Sequence, residues 1–457
     1  MLRRLLFRNF RFVYRLSQWT RHRLTPAGTL ILATMVAAGI FGIDIRQSLA
    51  FQIFTISAFL LLLSLLSVFT FRSNFRIRRQ LPDFCTVGSP LKYKIQLYNL
   101  VNQRQQELLL IDELQTTLPD FDEFCNADDP QDRHRNWFDR VVGYPRLISL
   151  IQKKRGATIL PVEIDDMPAA EQTEFSVNLL PLRRGYLHFS KFSIARVDPL
   201  GLFRAILSIT SKDSLLVLPK TYRLPTVQLP GHRKYQQGGM NQASTVGDSQ
   251  EFMSLRDYQP GDPLRAIHWR SYAKTGKPVV KELQDEFFVR QGLILDTFIE
   301  DKSGYAFEQA VSVAASFIIS SKQQDALLDL MFIGTQAYRF TAGRGLGKAE
   351  NMLEVLACIE PCRESSFDKL NELILQHATE MSGLICIFLD WDKKRRDLVQ
   401  GLTENNIPVL VLLITENNDT TAWDRTPLGN HPQHFKILQA GNMQEALDQL
   451  NSLGDVS

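Results

Sequence analysis

Cysteine and histidine are scarce in this chain. Its 457 residues include five cysteines and eight histidines, and no Cys-x-x-Cys pair occurs. That pattern fits reduced, mostly buried thiols in a cytosolic compartment rather than a disulfide framework. No Gly-rich phosphate loop and no nucleophile elbow is present, so the common catalytic motifs are missing. A net charge of +3 is too small to indicate a nucleic-acid partner.

Acidic residues are absent from residues 1–23, which contain seven arginines. Residues 24–43 and 48–71 carry no charge, and each stretch is long enough to cross about 30 Å of hydrocarbon. A cleaved signal peptide has a shorter apolar core and no second apolar stretch directly after it. The sequence therefore predicts a lipid-embedded hairpin of two retained spans within residues 1–80.

The arginines predict the orientation of this hairpin. Seven precede the first span, and four follow the second: Arg72, Arg76, Arg78 and Arg79. Short loops rich in Lys and Arg stay on the cytoplasmic side of a membrane. Both termini, and nearly all of the chain after residue 72, are therefore predicted to be cytoplasmic.

Within residues 81–220, residues 91–98 alternate apolar and polar side chains with a period of two, which is typical of a half-buried strand. Residues 108–111, 175–180 and 186–197 have the composition of further strands. Asp198-Pro199-Leu200-Gly201 has the composition of a tight turn. We expect a small antiparallel β-sandwich, interrupted by a polar insertion over about 120–166. The insertion is interpreted as a surface feature, with a docking loop as the alternative. Residues 221–250 are rich in Gly, Gln, Pro and Ser and predict a linker.

Strands and helices alternate through residues 287–453, which predicts a mainly parallel sheet covered on both faces. Predicted strands end directly before Asp296 and Asp390. Ligands of such sheets bind outside the carboxyl ends of the strands, where the strand order reverses. Both carboxylates are therefore candidate site residues.

Residues 251–282, which we call the signature segment, are dense in charged and aromatic residues. The segment contains Glu251-Phe252, Leu255-Arg256-Asp257-Tyr258, Gly261-Asp262, Arg265 and Ile267-His268-Trp269. These residues resemble the signature of the bacterial domain-of-unknown-function 58 family (DUF58). "RRGYLHFSKFSIARVDPLGLF" (Arg183 to Phe203) and the paired N-terminal spans are also similar to that family. The insertion at 120–166 is not part of the resemblance.

The resemblance implies a bacterial inner-membrane protein whose residues 251–457 carry a von Willebrand factor A-like α/β domain. It also implies a MoxR-type AAA ATPase as partner and an optional metal-ion-dependent adhesion site. That site usually reads Asp-x-Ser-x-Ser, whereas this chain has Asp296-Thr297-Phe298-Ile299-Glu300. Asp296, Glu300 and Asp390, with Asp392, Thr335 and Thr341 as further candidates, are the residues that match it. Because Phe298 cannot supply the oxygen ligand that Mg²⁺ prefers, we expect a degenerate site without a cofactor.

The sequence of the signature segment predicts a turn followed by a capped helix. Pro260-Gly261 suits the turn, Asp262 the N-cap and Pro263 the first helical position, with Gly276 ending the helix. Capping does not account for the remaining charged and aromatic side chains. We consider six residues as candidates for partner binding: Glu251, Arg256, Tyr258, Asp262, Arg265 and Trp269. An internal ion-pair network is the competing interpretation.

Three functions follow from these patterns. The first is a membrane-anchored interaction scaffold that works with an ATPase in assembly, envelope or stress processes. The second is a metal-dependent hydrolase acting through Asp296 and Asp390. The third is a non-catalytic structural protein of the envelope. The missing catalytic motifs favour a protein that is not an enzyme.

Overall fold

The computed structural model describes most of the chain as two compact units. The described residues are 2–41, 49–69, 71, 73–126, 136, 143–225, 250–262, 264, 267–285, 290–299, 304–323, 327–334, 336–342, 346–362, 367–416, 423–429 and 431–450. The first unit comprises Met1–Thr221, Glu300–Gly304 and Leu353–Ile359, and the second comprises Tyr222–Ile299, Tyr305–Met352 and Glu360–Ser457. Each unit has a hydrophobic core of its own.

Three helices begin the first unit: α1 is Leu2–Arg23, α2 is Pro26–Phe41 and α3 is Leu49–Val68. Helix α3 has the length and the apolar composition that a membrane span requires. Helix α2 is also apolar, but its 16 residues give about 24 Å of helix. A Cβ added at Gly39 of α2 would lie 3.4 Å from the Phe54 ring of α3, so the two helices pack closely. Residues 42–48, which hold the predicted connector, are outside the described residues.

A tight turn holds the ends of these apolar helices. The Asp198 carboxylate accepts hydrogen bonds from the N–H groups of Leu200, Leu202 and Phe203, and from the Ser64 hydroxyl of α3 at 2.7 Å. The predicted turn is confirmed, because the N–H of Gly201 donates to the Asp198 carbonyl and Gly201 has a φ of 73°. A buried carboxylate with this many donors is well stabilised.

Nine strands complete the first unit. They are β1 Phe75–Gln80, β2 Phe84–Thr86, β3 Leu91–Asn99, β4 Gln105–Leu114, β5 Ala157–Ile159, β6 Val162–Met167, β7 Gln172–Pro181, β8 Gly185–Val197 and β9 Arg204–Leu218. They form sheets of order β1-β3-β7-β5 and β2-β9-β8-β4-β6 around one core. The described pairs are antiparallel except β2–β9, which is parallel. The antiparallel prediction is thus corrected at one edge, where two sequence-distant strands meet without a hairpin to set their direction.

Arg79 lies inside this core rather than at the membrane. Its guanidinium donates to both Asp112 oxygens at 2.7 and 2.9 Å, and it lies 4.2 and 4.3 Å from the ring centroids of Phe189 and Phe192. Burial raises the pKa of the Asp112 carboxyl, and Arg79 opposes that rise. The Tyr93 hydroxyl donates to the same carboxylate at 2.6 Å.

The described residues of the predicted insertion include two helices, α4 Phe121–Asn126 and α5 Tyr144–Lys154. Phe124, Leu147 and Ile151 form a small buried cluster with Phe7 of α1. The ring centroids of Phe7 and Phe124 lie 5.2 Å apart. Within the described residues, the insertion therefore packs against the N-terminal helix. Residues 127–135 and 137–142 of the insertion are outside the described residues.

The second unit begins with an antiparallel hairpin of β10 Gln250–Asp257 and β11 Val279–Asp285, with α6 Trp269–Thr275 between them. The sequence placed the start of this helix at Pro263, which is outside the described residues. Ile267 bridges to Val280, and the N–H of His268 donates to the Val279 carbonyl at 2.8 Å. Because those residues are held beside β11, the helix begins only at Trp269.

A six-stranded sheet forms the rest of the second unit. Its strands are β12 Arg290–Leu295, β13 Leu327–Ile333, β14 Ala337–Ala342, β15 Gly383–Phe388, β16 Val409–Thr415 and β17 Phe435–Gln439. Its order is β14-β13-β12-β15-β16-β17, and β14 alone among these strands pairs antiparallel. The α-helices are α7 Tyr305–Gln323, α8 Leu346–Cys358, α9 Phe367–His377, α10 Lys393–Glu404 and α11 Met443–Asp448. Short 3₁₀ turns occur at Ala378–Glu380, Thr426–Leu428 and Pro432–His434. The predicted mostly parallel α/β sheet is confirmed.

Candidate functional site

The strand order reverses between β12 and β15. From β12 the chain adds β13 and β14 on one side, and it then returns to place β15 on the other side. Asp296 directly follows β12, and its N–H donates to the Ile387 carbonyl of β15 at 2.9 Å. The structure therefore places Asp296 at the carboxyl ends of the two central strands, where sheets of this kind bind ligands.

The Asp296 carboxylate is fully buried, and both of its oxygens are engaged. Oδ1 accepts from the Phe298 N–H at 3.0 Å. Oδ2 accepts from the Leu389 N–H at 3.2 Å and from Nε and Nη2 of Arg395, each at 2.7 Å. A guanidinium therefore binds the carboxylate that the resemblance assigns to a divalent cation.

Helix α10 positions Arg395 for this contact. Asp392 caps the helix by accepting from the Arg395 N–H at 3.0 Å, and the same carboxylate lies 3.1 Å from Nη1 of Arg395. The guanidinium carbon lies 4.9 Å from the centroid of the Phe367 ring. These contacts fix the guanidinium on three sides.

The pKa values of Asp296 and Arg395 are both shifted in this buried pair. Complete burial raises the pKa of the Asp296 carboxyl, and Arg395 opposes that rise. Burial by itself lowers the pKa of Arg395, but the charges and hydrogen bonds of Asp296 and Asp392 hold it above its ordinary value. The guanidinium therefore stays charged against its carboxylate.

The other candidate metal ligands do not complete a site. The Asp390 carboxylate accepts from the N–H of the following residue, Trp391, at 2.7 Å. Thr341 lies on β14, two strands away from β12, while Glu300 and Thr335 are outside the described residues. Among the described residues, no group of three His, Cys, Asp or Glu side chains is placed to hold a metal ion. Among the described residues at this edge, the positive charge beside the Asp296 carboxylate is the Arg395 guanidinium, and they do not form a site for a metal ion.

The signature segment contains a second ion pair. Both terminal nitrogens of Arg256 donate to the Asp262 carboxylate, at 2.8 and 2.6 Å. The same carboxylate accepts from the Gln259 N–H at 2.9 Å, and the hydrogen bonds from Arg256 and Gln259 hold the pKa of Asp262 below its ordinary value. Asp262 therefore closes the turn that follows β10.

The aromatic side chains of the segment point outward. Trp269 is 61% exposed, Tyr272 and Leu264 are also exposed, and the rings of Trp269 and Tyr272 meet edge to face at 6.0 Å. Tyr258 is half-buried, and its N–H donates to the Pro278 carbonyl at 3.0 Å, which closes the hairpin. The side chains of Glu251 and Arg265 are outside the described residues. We call Leu264, Trp269 and Tyr272 the aromatic surface.

One charged cluster was missed by the sequence interpretation. Asp329 of β13 is fully buried and is paired with Arg290 at 2.9 Å and Arg339 at 2.8 Å. Arg339 also contacts Glu380 at 2.8 Å and Nδ1 of His377 at 2.6 Å. A lone acid within the apolar β13 run was the signal that could have found this cluster.

Both the sheet edge and the aromatic surface lie within one family match. The family model described as "Protein of unknown function DUF58" matches residues 254–412. This part of the chain is similar to the DUF58 family. The DUF58 match begins inside β10 and ends inside β16, so it contains Arg256, Trp269, Asp296 and Arg395.

A curated relative is similarly unassigned. The chain is 30% identical over 184 residues to "Uncharacterized protein YeaD" of Bacillus subtilis, a match covering 40% of this chain and 44% of the relative. The chain thus matches less than half of that relative's length.

Solved structures show only faint likeness. Proximal thread matrix protein 1 from the mussel byssus has a TM-score of 0.27 at 8% identity, covering 36% of this chain and 47% of that one. A Salmonella alpha-2-macroglobulin has a TM-score of 0.18 at 11% identity, covering 33% of this chain and 8% of that one. At these scores the likenesses carry no argument about fold or function.

Proposed function

We propose that this protein is a membrane-anchored scaffold that presents a von Willebrand factor A-like domain to a protein partner in the bacterial cytoplasm. The sheet supports the domain assignment, because numbering its strands along the chain gives the order 3-2-1-4-5-6 of a doubly wound sheet. In this proposal the two sheets of the first unit are a β-sandwich, which follows the anchor and precedes that domain along the chain.

Helices α2 and α3 are the proposed anchor, as a hairpin of two spans. Their outer surfaces carry large apolar side chains, including the exposed Leu30, Ile56 and Phe59. Side chains of this kind are costly to hydrate, and they suit hydrocarbon. Helix α2, with 16 residues, is short for a span by itself.

The aromatic surface is the observation that carries the proposed interaction. Trp and Tyr dominate the binding energy of protein interfaces, and here both are exposed within the DUF58 match. The neighbouring Arg256–Asp262 pair is internal to the segment, so it holds the turn instead of meeting the partner directly. In this proposal the Arg256–Asp262 ion pair stabilises the turn, and the aromatic surface contacts the partner.

The proposed partner is a MoxR-type AAA ATPase, which comes from the family resemblance. A hydrolase acting through Asp296 and Asp390 has no support in the geometry, because Arg395 binds the first carboxylate and the second contacts its own backbone. A non-catalytic envelope protein remains an outcome of the experiment.

Crosslinking and capture from membranes tests the proposal. The intact protein is crosslinked in its own membrane, purified and probed for the ATPase. We expect Trp269→Ala to reduce capture on the order of 30-fold, because a central aromatic anchor contributes at least about 2 kcal/mol. Leu375→Ala, which removes an exposed side chain from α9 in the same unit, should leave capture unchanged.

Arg256→Ala separates the two roles of the signature segment. Losing the forked bond to Asp262 should lower the melting temperature and weaken capture together. Trp269→Ala should weaken capture at an unchanged melting temperature. Undiminished capture by Trp269→Ala would show that the aromatic surface does not meet the partner, and absence of any captured ATPase would favour the structural envelope protein.

A further inference from the structure

Helix α1 has two apolar faces, and only one of them is covered. The covered face packs against the insertion: Phe7 contacts Phe121 and Phe124 with ring centroids 5.6 and 5.2 Å apart, and Phe10 contacts Tyr144 at 5.5 Å. These contacts account for the helix being held in the first unit. They leave the opposite side of α1 uncovered by the described residues of that unit.

The uncovered face is strongly apolar. Phe12 is 66% exposed, Trp19 is 55% exposed, and Leu16 is 48% exposed. These residues are separated by four and three positions, so they lie on one side of the helix. An ordinary solvated helix places polar residues on the side that faces away from its core. The composition of this face therefore indicates a second apolar environment.

A basic stripe runs beside that face. Arg4, Arg8, Arg11 and Arg15 follow one another at spacings of four, three and four residues, which places them along one side of α1. Around the helix, at 100° per residue, this stripe lies between the covered face and the exposed apolar face. Arg8 and Arg15 are exposed. No acidic residue occurs in α1 to neutralise them.

The end of α1 is fixed beside the proposed anchor. Leu24 bridges to Phe203, and the N–H of Thr25 donates to the Leu202 carbonyl at 3.1 Å. The Thr25 hydroxyl then accepts from the Gly28 N–H at 3.0 Å and caps α2. Helix α1 thus stops where the apolar helix α2 begins, and the break is held by the 198–203 turn. This places the end of α1 at the level where the proposed anchor leaves the bilayer.

We infer that α1 lies in the membrane surface and binds anionic lipid. Phe12, Leu16 and Trp19 enter the boundary between headgroups and acyl chains, while the arginine stripe contacts lipid phosphates. Trp19 suits this depth because its ring is apolar and its N–H can still donate to a headgroup. The inference rests on the proposed membrane anchor, and it adds a lipid preference and a role for the insertion as the support of α1.

Photocrosslinking of the full chain in lipid nanodiscs tests this inference. Benzoylphenylalanine replaces Phe12, Leu16, Leu62 or Leu375 in turn. Leu62 is an exposed residue of α3 and reports the anchor, and Leu375 is an exposed residue of α9 and is the aqueous control. We expect lipid adducts at positions 12, 16 and 62 and none at 375.

Headgroup charge gives the second arm of the experiment. With Phe12 replaced, adducts should be more abundant in discs of phosphatidylglycerol and phosphatidylethanolamine than in discs of phosphatidylcholine. Arg8→Gln with Arg15→Gln should lower the yield in anionic discs by roughly tenfold or more, because each arginine near an anionic surface strengthens binding by about fivefold. Arg270→Gln, an exposed arginine of α6, should leave the yield unchanged.

The outcomes separate the inference from the anchor on which it rests. Lipid adducts at 62 without adducts at 12 and 16 would retain the anchor and overturn the surface position of α1. Protein adducts at 12 and 16 would show that another chain or a second copy covers the face. Absence of lipid adducts at 62 as well would overturn both the anchor and the inference. Equal yields in the two lipid compositions would remove the anionic preference.

Discussion

At the scale of single residues, Arg395 sets the electrostatics of the sheet edge. Its guanidinium binds the Asp296 carboxylate at the point where the strand order reverses. A positive charge already present there repels a second cation and satisfies the carboxylate. Only the chain position of Asp296 resembles an adhesion-type metal site, while its bonding is that of a buried ion pair.

Breaking this pair from one side should be costly. Arg395→Met leaves a buried carboxylate without its counter-charge, and Asp296→Asn leaves a buried guanidinium, so each should lower the free energy of unfolding by about 3–5 kcal/mol. The double variant should lose less than the sum of the two. Denaturant unfolding of the purified full-length protein measures the coupling, and simple additivity would argue against the pair.

Mg²⁺ should not bind at the Asp296 edge, where both serines of the adhesion-type motif are missing. Adding Mg²⁺ at millimolar concentration should leave the melting temperature of the wild-type protein unchanged, because a ligand stabilises only a state that binds it. Calorimetric titration with Mg²⁺ measures the binding directly. Micromolar binding that Asp296→Ala abolishes would show that the edge holds a cation despite Arg395.

Buried His434 should make stability depend on pH. Burial lowers its pKa below the ordinary 6.5, and its ring stacks on that of His431 with centroids 5.1 Å apart. The unfolded chain therefore takes up a proton before the folded protein does, so stability is full above about pH 6.5 and falls as pH drops below it. Denaturation at several pH values should show this slope. His434→Gln should reduce it, whereas His431→Gln should retain most of it, because burial is the larger cause.

At the scale of elements, the 198–203 turn joins two apolar helices to the β-rich part of the first unit. Asp198 accepts from Ser64 of α3, and the Leu202 carbonyl accepts from Thr25 just before α2. The turn lies outside the DUF58 match, which covers residues 254–412. Through these contacts the 198–203 turn holds α2 and α3 against the β-rich part of the first unit.

Gly28 reports how tightly this junction is packed. A Cβ at position 28 would lie 2.1 Å from the Leu202 carbonyl oxygen, so Gly28→Ala forces backbone to move and should destabilise the junction by about 1–3 kcal/mol. Gly39→Ala is the matched control in the same helix, since its Cβ would lie 3.4 Å from the Phe54 ring. Thermal melting in detergent compares them. Equal melting temperatures would contradict the close approach.

At the scale of the whole molecule, the arginine distribution predicts that both ends of the chain face the cytoplasm. Reporter fusions after residue 80 should show cytoplasmic activity, because seven arginines precede the anchor within 23 residues. An alkaline phosphatase fusion and a green fluorescent protein fusion at the same site form a matched pair. Phosphatase activity there would overturn the orientation and place the second unit in the periplasm.

The predicted elements came closest to the structure where the pattern is local. The predicted alternation of strands and helices is present in the second unit, and α7 has a buried stripe that includes Phe307, Ala310, Val311, Ala314, Phe317 and Ile318. The hairpin of β10 and β11 was missed, since charged residues along β10 hide its pairing with residues more than twenty positions away.

The sequence by itself determined the apolar helices, the alternation of strands and helices in the second unit, and the position of Asp296 at the end of a strand. Those features depend on side-chain period and on turn residues, which act over a few neighbouring positions. Tertiary structure alone decided that Arg395 binds Asp296 and that Arg79 lies in a core. Arg395 and Asp296 are 99 positions apart, and their contact exists only because strand order places β12 beside β15 and α10 above that edge. Many arginines could pair with one carboxylate, and only the fold selects which of them does.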